Sequence, residues 1–460
     1  MQKHLYLLSG TDAFTRGTLD NVALVENAVG LDQSAGRYLL YGCFTTQEIS
    51  FPAFRQLAMS WNASTPKGTV VEPQARVLVD GVWTDWLSFG RWSPYIQRES
   101  IQQKAEKPAY VQGDTLYVPA GKATHAQMRI YLYTSDDQIT PLVQLLAVSV
   151  RPAEWHPETA EPYGRLIRLP AYSQRNRDPQ LQQGMSAAIC LTSMMNRWGQ
   201  DALPEELAWG MYDFGQGDCF HHGFMTALAG NYGYMAYRAY LSPQQVWELV
   251  KQGCSVALRM SYAASQDSAA RLGLPHLPDA FADGEDQCMI LRGFAVQDNQ
   301  IQVLVNDSLA PTDREAECSY PAPQFWAAYT GEAIIMQGRC PSMGRVASQR
   351  IHCGLIASEQ EDCYWFESPQ GEILPLDGEA LGTLCCTQQP EVAYATTAHK
   401  PFFYLERQPD GTVCLKGHLE PGRLTTVYAV HKDGSTFVAQ LRPTEKPAEK
   451  SPEQPVDTEN

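Results

Sequence analysis

Two side chains raise the chemical question in this sequence: Ser186 and Cys190. Ser186 opens SAAICLTSMMNRWG, an apolar stretch at helical spacing that stops at Gly199, a natural helix C-cap. A thiol at such a helix start, beside an imidazolium, is easily activated as a nucleophile. A serine hydroxyl is far less acidic and needs a true base within hydrogen-bond reach. Cys190 lies four residues further along the same face, about 6 Å deeper at ~1.5 Å of rise per residue. It reads as a core cysteine, with a substitute nucleophile as the alternative.

The remaining candidates are bases and ligands. His221 and His222 are adjacent near the start of HHGFMTALAGNYG, and His276 sits in the loop PHLPDAFADGED. Neighbouring helical positions point ~100° apart, so the pair cannot face one metal ion. A relocated general base is the chemistry they could supply, against an ordinary polar role. Asp307 would orient a base or close a turn. ADGED lacks calcium-loop spacing and reads as a solvated turn. The 12 cysteines form no CxxC pair, which argues against a zinc ribbon and suits a reducing compartment. No metal site and no cofactor is expected.

The elements that position these residues fall into four segments. Residues 1–155 read as a β-sandwich: VEPQARVLVDGVWTDWLSFGRW alternates around Asp80-Gly81, a two-residue hairpin signal. Its Trp83, Trp86 and Trp92 suit strand packing, with a sugar-stacking face as the alternative. RPAEWHPETAEPYGR is a Pro-rich boundary. Residues 165–342 place helices first and strands later, an α+β order. SPQQVWELVKQG carries Ser242 as N-cap and Pro243 at the first helical position. Residues 345–443 return to short strands with Asp410-Gly411 and Asp433-Gly434 turns, and 444–460 are Pro- and charge-rich, hence expected to be disordered.

The middle segment resembles the papain-like cysteine peptidases of the bacteriocin-leader (double-glycine) type, in a bacterial branch with a preceding β-sandwich. The matching blocks are Tyr172-Ser173-Gln174 with the helix ending at Trp198-Gly199, then Gly217 to Gly230 with LSPQQVWELVKQGCSVAL, then MILRGF with VLVNDSLAPTDREAECSYPAPQFWAAY. SWNASTPKGT and WTDWLSFGRWS resemble the preceding domain. The resemblance implies a papain-like α+β fold and a Cys-His-Asp site with an oxyanion glutamine. The nucleophile position, thirteen residues before Gly199, holds Ser186, and the histidine position, five before Arg292, holds Gln287. The orienting position is Asp307 in Asn306-Asp307, and the oxyanion position is Gln174.

Gln is no base near neutral pH, so a Ser186–Gln287 pair should retain almost no hydrolysis. The expectation is a catalytically impaired peptidase-like protein that binds a peptide or protein ligand. The alternatives are a working hydrolase using Ser186 or Cys190 with a relocated histidine, and a glycan- or surface-binding protein acting through the N-terminal domain. A net charge of −16 argues against nucleic acid and anionic membranes. LYLL is too short for a secretory core and no run reaches the ~20 residues of a membrane span. As written the chain reads as cytoplasmic, although the resembled family is often secreted or on the cell surface.

Overall fold

The computed structural model describes residues 4–102, 107–155, 165–178, 181–200 and 202–339, and eight strands between residues 350 and 445. The chain divides into two compact units, Met1–Val346 and Ala347–Asn460. Residues 156–164 of the Pro-rich boundary lie outside the described residues, as do Asp410-Gly411, Asp433-Gly434 and the tail from residue 446.

The first unit opens with a β-rich layer built on four long strands, Ile49–Ser64, Thr69–Val79, Ala123–Thr134 and Leu142–Pro152. Asp80 and Gly81 both take positive φ (50° and 80°), and Val82 returns opposite Val79, as the hairpin signal predicts. Thr69–Val79 alternates strictly between buried and half-exposed residues, and Ala123–Thr134 does so from Ala126 onward, the signature of a sheet with one solvated face. Ile49–Ser64 behaves differently. Its first part pairs with Ala123–Thr134, its second with Leu142–Pro152, so one strand serves both layers of the sandwich. Residues 57–64 are buried on both faces, because a second layer covers the side that a lone sandwich would leave in water.

That second layer is a mixed helix and sheet region. Its antiparallel sheet runs Tyr234–Tyr240, Tyr329–Arg339, Ser255–Tyr262, Gly284–Gln297, Gln300–Asp307, Glu317–Pro321. The expected helices appear as Ser186–Arg197, Pro204–Met211, His222–Asn231 and Pro243–Lys251, the last with Ser242 Oγ accepting from Gln245 N–H. Strand Tyr234–Tyr240 and helices Gln266–Leu272 and Ala322–Ala328 were not anticipated. No helix among the described residues is long and apolar enough to cross a membrane.

The contact between the layers is polar and close. All of His222–Asn231 is buried, and a Cβ on Gly230 would stand 2.5 Å from Asn62 Cα, so only glycine lets this helix approach the strand. Tyr234–Tyr240 ends its sheet and presents unpaired N–H groups on alternate residues. Side chains of the N-terminal layer take them up: Ala236 N–H donates to Asn62 Oδ1 at 3.0 Å, Arg238 N–H to Ser60 Oγ at 2.9 Å and Tyr240 N–H to Ser149 Oγ at 2.9 Å. Asn62 Nδ2 also donates to the carbonyls of Thr226 and Ala236, at 3.0 and 2.9 Å.

In the second unit, strand Arg350–Ala357 pairs in parallel with Thr436–Glu445 in a six-stranded sheet, and Phe403–Arg407 pairs with Val413–Gly417.

Asn62→Ala removes its three inter-layer bonds and leaves the buried N–H and C=O of Ala236 without their side-chain partner. A loss of about 2–4 kcal/mol is expected from such a change. Urea unfolding should show it, while Val82→Ala at a 69 % exposed position should leave the midpoint unchanged.

Candidate functional site

Ser186 is the first residue of its helix, and its hydroxyl is fully buried against the strand Gly284–Gln297. Ser186 Oγ accepts the Cys288 backbone N–H at 3.1 Å. Strand alternation sends the side chains of Gln287 and Cys288 to opposite faces. Gln287 Nε2 donates to Ser308 Oγ at 3.0 Å and lies 3.5 Å from Gln174 Oε1. Ser308 Oγ donates to the same Gln174 oxygen at 2.8 Å, and Gln174 Nε2 donates to the Gln182 carbonyl at 3.0 Å. Gln174, Gln287 and Ser308 therefore form one buried amide–hydroxyl cluster.

Asp307 is fully buried one strand away, in a pair with Met289. It accepts from Leu309 N–H at 2.9 Å, the Asx turn, and from Tyr320 Oη–H at 2.7 Å. Burial raises its carboxyl above the ordinary range, against the lowering pull of these two bonds. Cys190 is buried at 2 % exposure, and its thiol is pushed well up by burial and then by Cys288 and Asp307. His276 stands half-exposed on a backbone bridge with Ala263.

The two adjacent histidines diverge as helix geometry requires. His221 caps the helix, its Nδ1 accepting Phe224 N–H at 2.9 Å while the ring stacks on Phe224. Burial pulls it down to about 4, so it is neutral in the fold. His222, fully buried, makes the contacts that sequence reasoning missed. Its Nδ1 is 3.1 Å from Asp114 Oδ2 and its Nε2 is 3.2 Å from Cys288 Sγ. Asp114 Oδ2 also accepts the His222 backbone N–H at 2.9 Å, so one carboxylate caps the helix and holds the ring.

The chain of charges continues inward from Asp114. Arg238, with no exposed surface, contacts Asp114 Oδ1 at 3.2 Å and Glu332 Oε1 at 2.5 Å. Arg259 bonds Glu332 Oε2 at 2.8 Å and closes on Asp286, which therefore ends an ion-pair chain rather than lying in a solvated turn. Three carboxylates, Asp114, Glu332 and Asp286, face two guanidinium groups, and the His222 ring lies against the first of them. Burial alone would lower this imidazole, but Cys288 and Asp114 more than reverse that and carry it up to about 10. Burial likewise opposes ionisation of Asp114 and Glu332, yet Arg238 holds both carboxyls below their usual range.

Asp114, His222 and Cys288 come from three distant segments, which is why spacing could not reveal them. The available signal was the residue next to Gln287: a strand neighbour must face the other way, toward whatever that layer packs against. No group of three or more His, Cys, Asp or Glu suited to a metal ion occurs among the described residues. The six described cysteines, including Cys190 and Cys288, are in no disulfide.

Residues 7–150 match the family model described as Peptidase C39 N-terminal domain. The match supports a C39-related family. It covers the β-rich layer that precedes the mixed region and contains Asp114. No curated protein sequence matches the chain at a significant level. Among solved structures, a module titled TmCBM61 in complex with beta-1,4-galactotriose aligns at 10 % identity over 33 % of this chain and 84 % of its own, TM-score 0.18. A structure from infectious bursal disease virus aligns at 12 % identity over 33 % of each chain, so this chain spans a third of that protein, TM-score 0.18. A carbohydrate-binding module of the β-sandwich superfamily aligns at 14 % identity over 32 % and 57 %, TM-score 0.15. Likeness at this level bears on neither the fold nor a ligand.

His222 has a folded-state pKa above that of a free imidazole. Its contribution to stability is thus complete below about pH 6.5 and is lost as pH rises toward 10. The melting temperature should fall across that window, and His222→Gln should start lower and flatten the decline. An unchanged alkaline slope in the variant would mean that the ring is not charged in the fold.

Proposed function

We propose that the chain is a peptidase-like protein of a C39-related family that binds a peptide or protein ligand without hydrolysing it. In this reading residues 165–342 are a papain-like domain, with Ser186, Gln287, Asp307 and Gln174 at the nucleophile, histidine, orienting and oxyanion positions.

One observation carries the reading. The buried polar atoms at those positions are already spent on one another and on backbone, with Gln287 donating to Ser308 and Ser186 accepting from Cys288 N–H. A working site needs the nucleophile and base to face each other and a reacting carbonyl. In this reading the amide of Gln287 takes the place of the base, and an amide takes no proton near neutral pH. Asp307, which would orient an imidazole, is held by the Tyr320 hydroxyl instead.

The rival is a hydrolase rewired around His222. The Cys288–His222–Asp114 contacts do have the order of a nucleophile, base and orienting carboxylate. All three lie between the layers, with Cys288 and His222 at zero exposure and Asp114 at 8 %. Their bonds link the N-terminal layer, the central helix and the second sheet, which is the work of an internal clamp. A thiol so enclosed meets no substrate in the folded state.

Activity-probe labelling separates the two. A fluorophosphonate and an iodoacetamide reagent are applied to the native protein, and adducts are mapped by mass spectrometry. The expected result is no adduct at Ser186, with Cys190 and Cys288 reacting only after denaturation. A fold-dependent adduct at Ser186, Cys190 or Cys288 would establish a live nucleophile and end the non-hydrolytic reading.

A further inference from the structure

The solvated face of the N-terminal sheet carries a ladder of guanidinium groups and aromatic rings. Glu72, Gln74 and Arg76 project from one strand, and Gln127, Arg129, Tyr131 and Tyr133 from its neighbour, all half-exposed. The hairpin after Asp80-Gly81 folds Trp83 and Trp86 back over the same face. Arg76 Cζ stands 4.7 Å from the Trp83 ring centre and 4.8 Å from that of Trp86. Arg129 Cζ stands 4.3 Å from Trp86 and 4.9 Å from Tyr131, and Arg91 Cζ stands 5.5 Å from Tyr133. Trp92, by contrast, is fully buried and belongs to the core.

The polar side chains of the strip hold the cations in place. Arg76 Nε donates to Gln127 Oε1 at 2.8 Å and Arg129 Nε to Gln74 Oε1 at 2.7 Å. Each guanidinium is thus fixed by one hydrogen bond and one or two rings. Their terminal Nη groups take no hydrogen-bond partner among the described residues. Glu72 answers Arg91 alone, at 3.4 Å, and accepts from Gln74 and Ser88. On a chain of net charge −16, three arginines on one strip against the single carboxylate bonded within it form a locally basic surface.

Pre-ordered planar forks suit carboxylates, which they bind by two parallel bonds. Trp83, Trp86 and Tyr131 remain half-exposed beside these cations, and the ring surface that no guanidinium covers suits pyranose rings, whose C–H faces are apolar. We propose that this strip binds an acidic polysaccharide of the uronate type. Its carboxylates lie against Arg76 and Arg129, and its sugar rings against Trp83, Trp86 and Tyr131. The negative field of the whole chain disfavours long polyanions without such local contacts, so a nucleic acid, which has charge but no uronate ring, should bind poorly. The proposal stands on the outer face alone and is independent of whether the interior site hydrolyses anything.

The test is affinity electrophoresis and titration calorimetry on the full chain with polygalacturonate, neutral dextran and a single-stranded oligonucleotide. Polygalacturonate should bind and the other two should not. Arg76→Gln/Arg129→Gln should weaken binding at least tenfold, and Arg129→Lys, which keeps charge but loses the fork, should weaken it severalfold. Arg37→Gln, at a 71 % exposed arginine paired with Asp137 elsewhere on the domain, should leave binding unchanged. Unaltered melting temperatures would show that the variants remain folded. No polygalacturonate binding, equal binding of the oligonucleotide, or full binding by the folded double variant would each overturn the proposal.

Discussion

The first unit depends on a guanidinium group with no access to water. Arg238 lies on the edge strand of the second sheet, where an uncompensated charge would cost several kcal/mol. It is tolerated because the two layers bring carboxylates to it from opposite sides, Asp114 from the N-terminal sheet and Glu332 from the neighbouring strand. Neither layer alone satisfies it. The same logic extends outward through Arg259 to Asp286 and inward through His222 to Cys288. A buried ionic chain of this kind adds little stability over a packed apolar core, but it tolerates few alternative alignments. It sets the register in which the layers meet.

Once that register is set, the other contacts follow from it. Asn62, Ser60 and Ser149 meet the alternate N–H groups of the edge strand, which closes a surface otherwise open to further strand pairing. Gly230 allows the central helix to lie on Asn62, and that approach buries His222 beside Asp114. Because the helix start is capped by a carboxylate of the other layer, the C39-related region and the mixed region share one interior. The polar groups around Ser186 are met from within the interior, Gln174, Gln287 and Ser308 by one another and Ser186 by the Cys288 backbone N–H. The outer sheet face follows the opposite principle. There Arg76 and Arg129 are held by amide oxygens and aromatic rings rather than by carboxylates.

Local rules were enough for much of the architecture. The apolar period from Ser186 to Arg197, the Ser242–Pro243 start and the Asp80-Gly81 reversal each depend on residues within one turn of each other, and each is present as read. So is strand alternation in Thr69–Val79, because one face of that strand meets water. Strand Tyr234–Tyr240 escaped notice since burial on both sides removes the alternation that marks a strand. The short helix Gln266–Leu272 has no buried residue and so leaves no apolar period to read.

For the candidate site, sequence by itself determined the residue types: a serine, two glutamines and an aspartate at spacings that resemble a peptidase, with no histidine among them. It also determined that Gln287 and Cys288 would face apart, a consequence of the strand's two-residue period. Only the tertiary structure decided what each would face. Asp114, His222 and Cys288 are separated by 108 and 66 residues, and no local period links them. Their meeting is a product of layer packing, in which apolar burial brings the layers together and the buried charges pair where they meet.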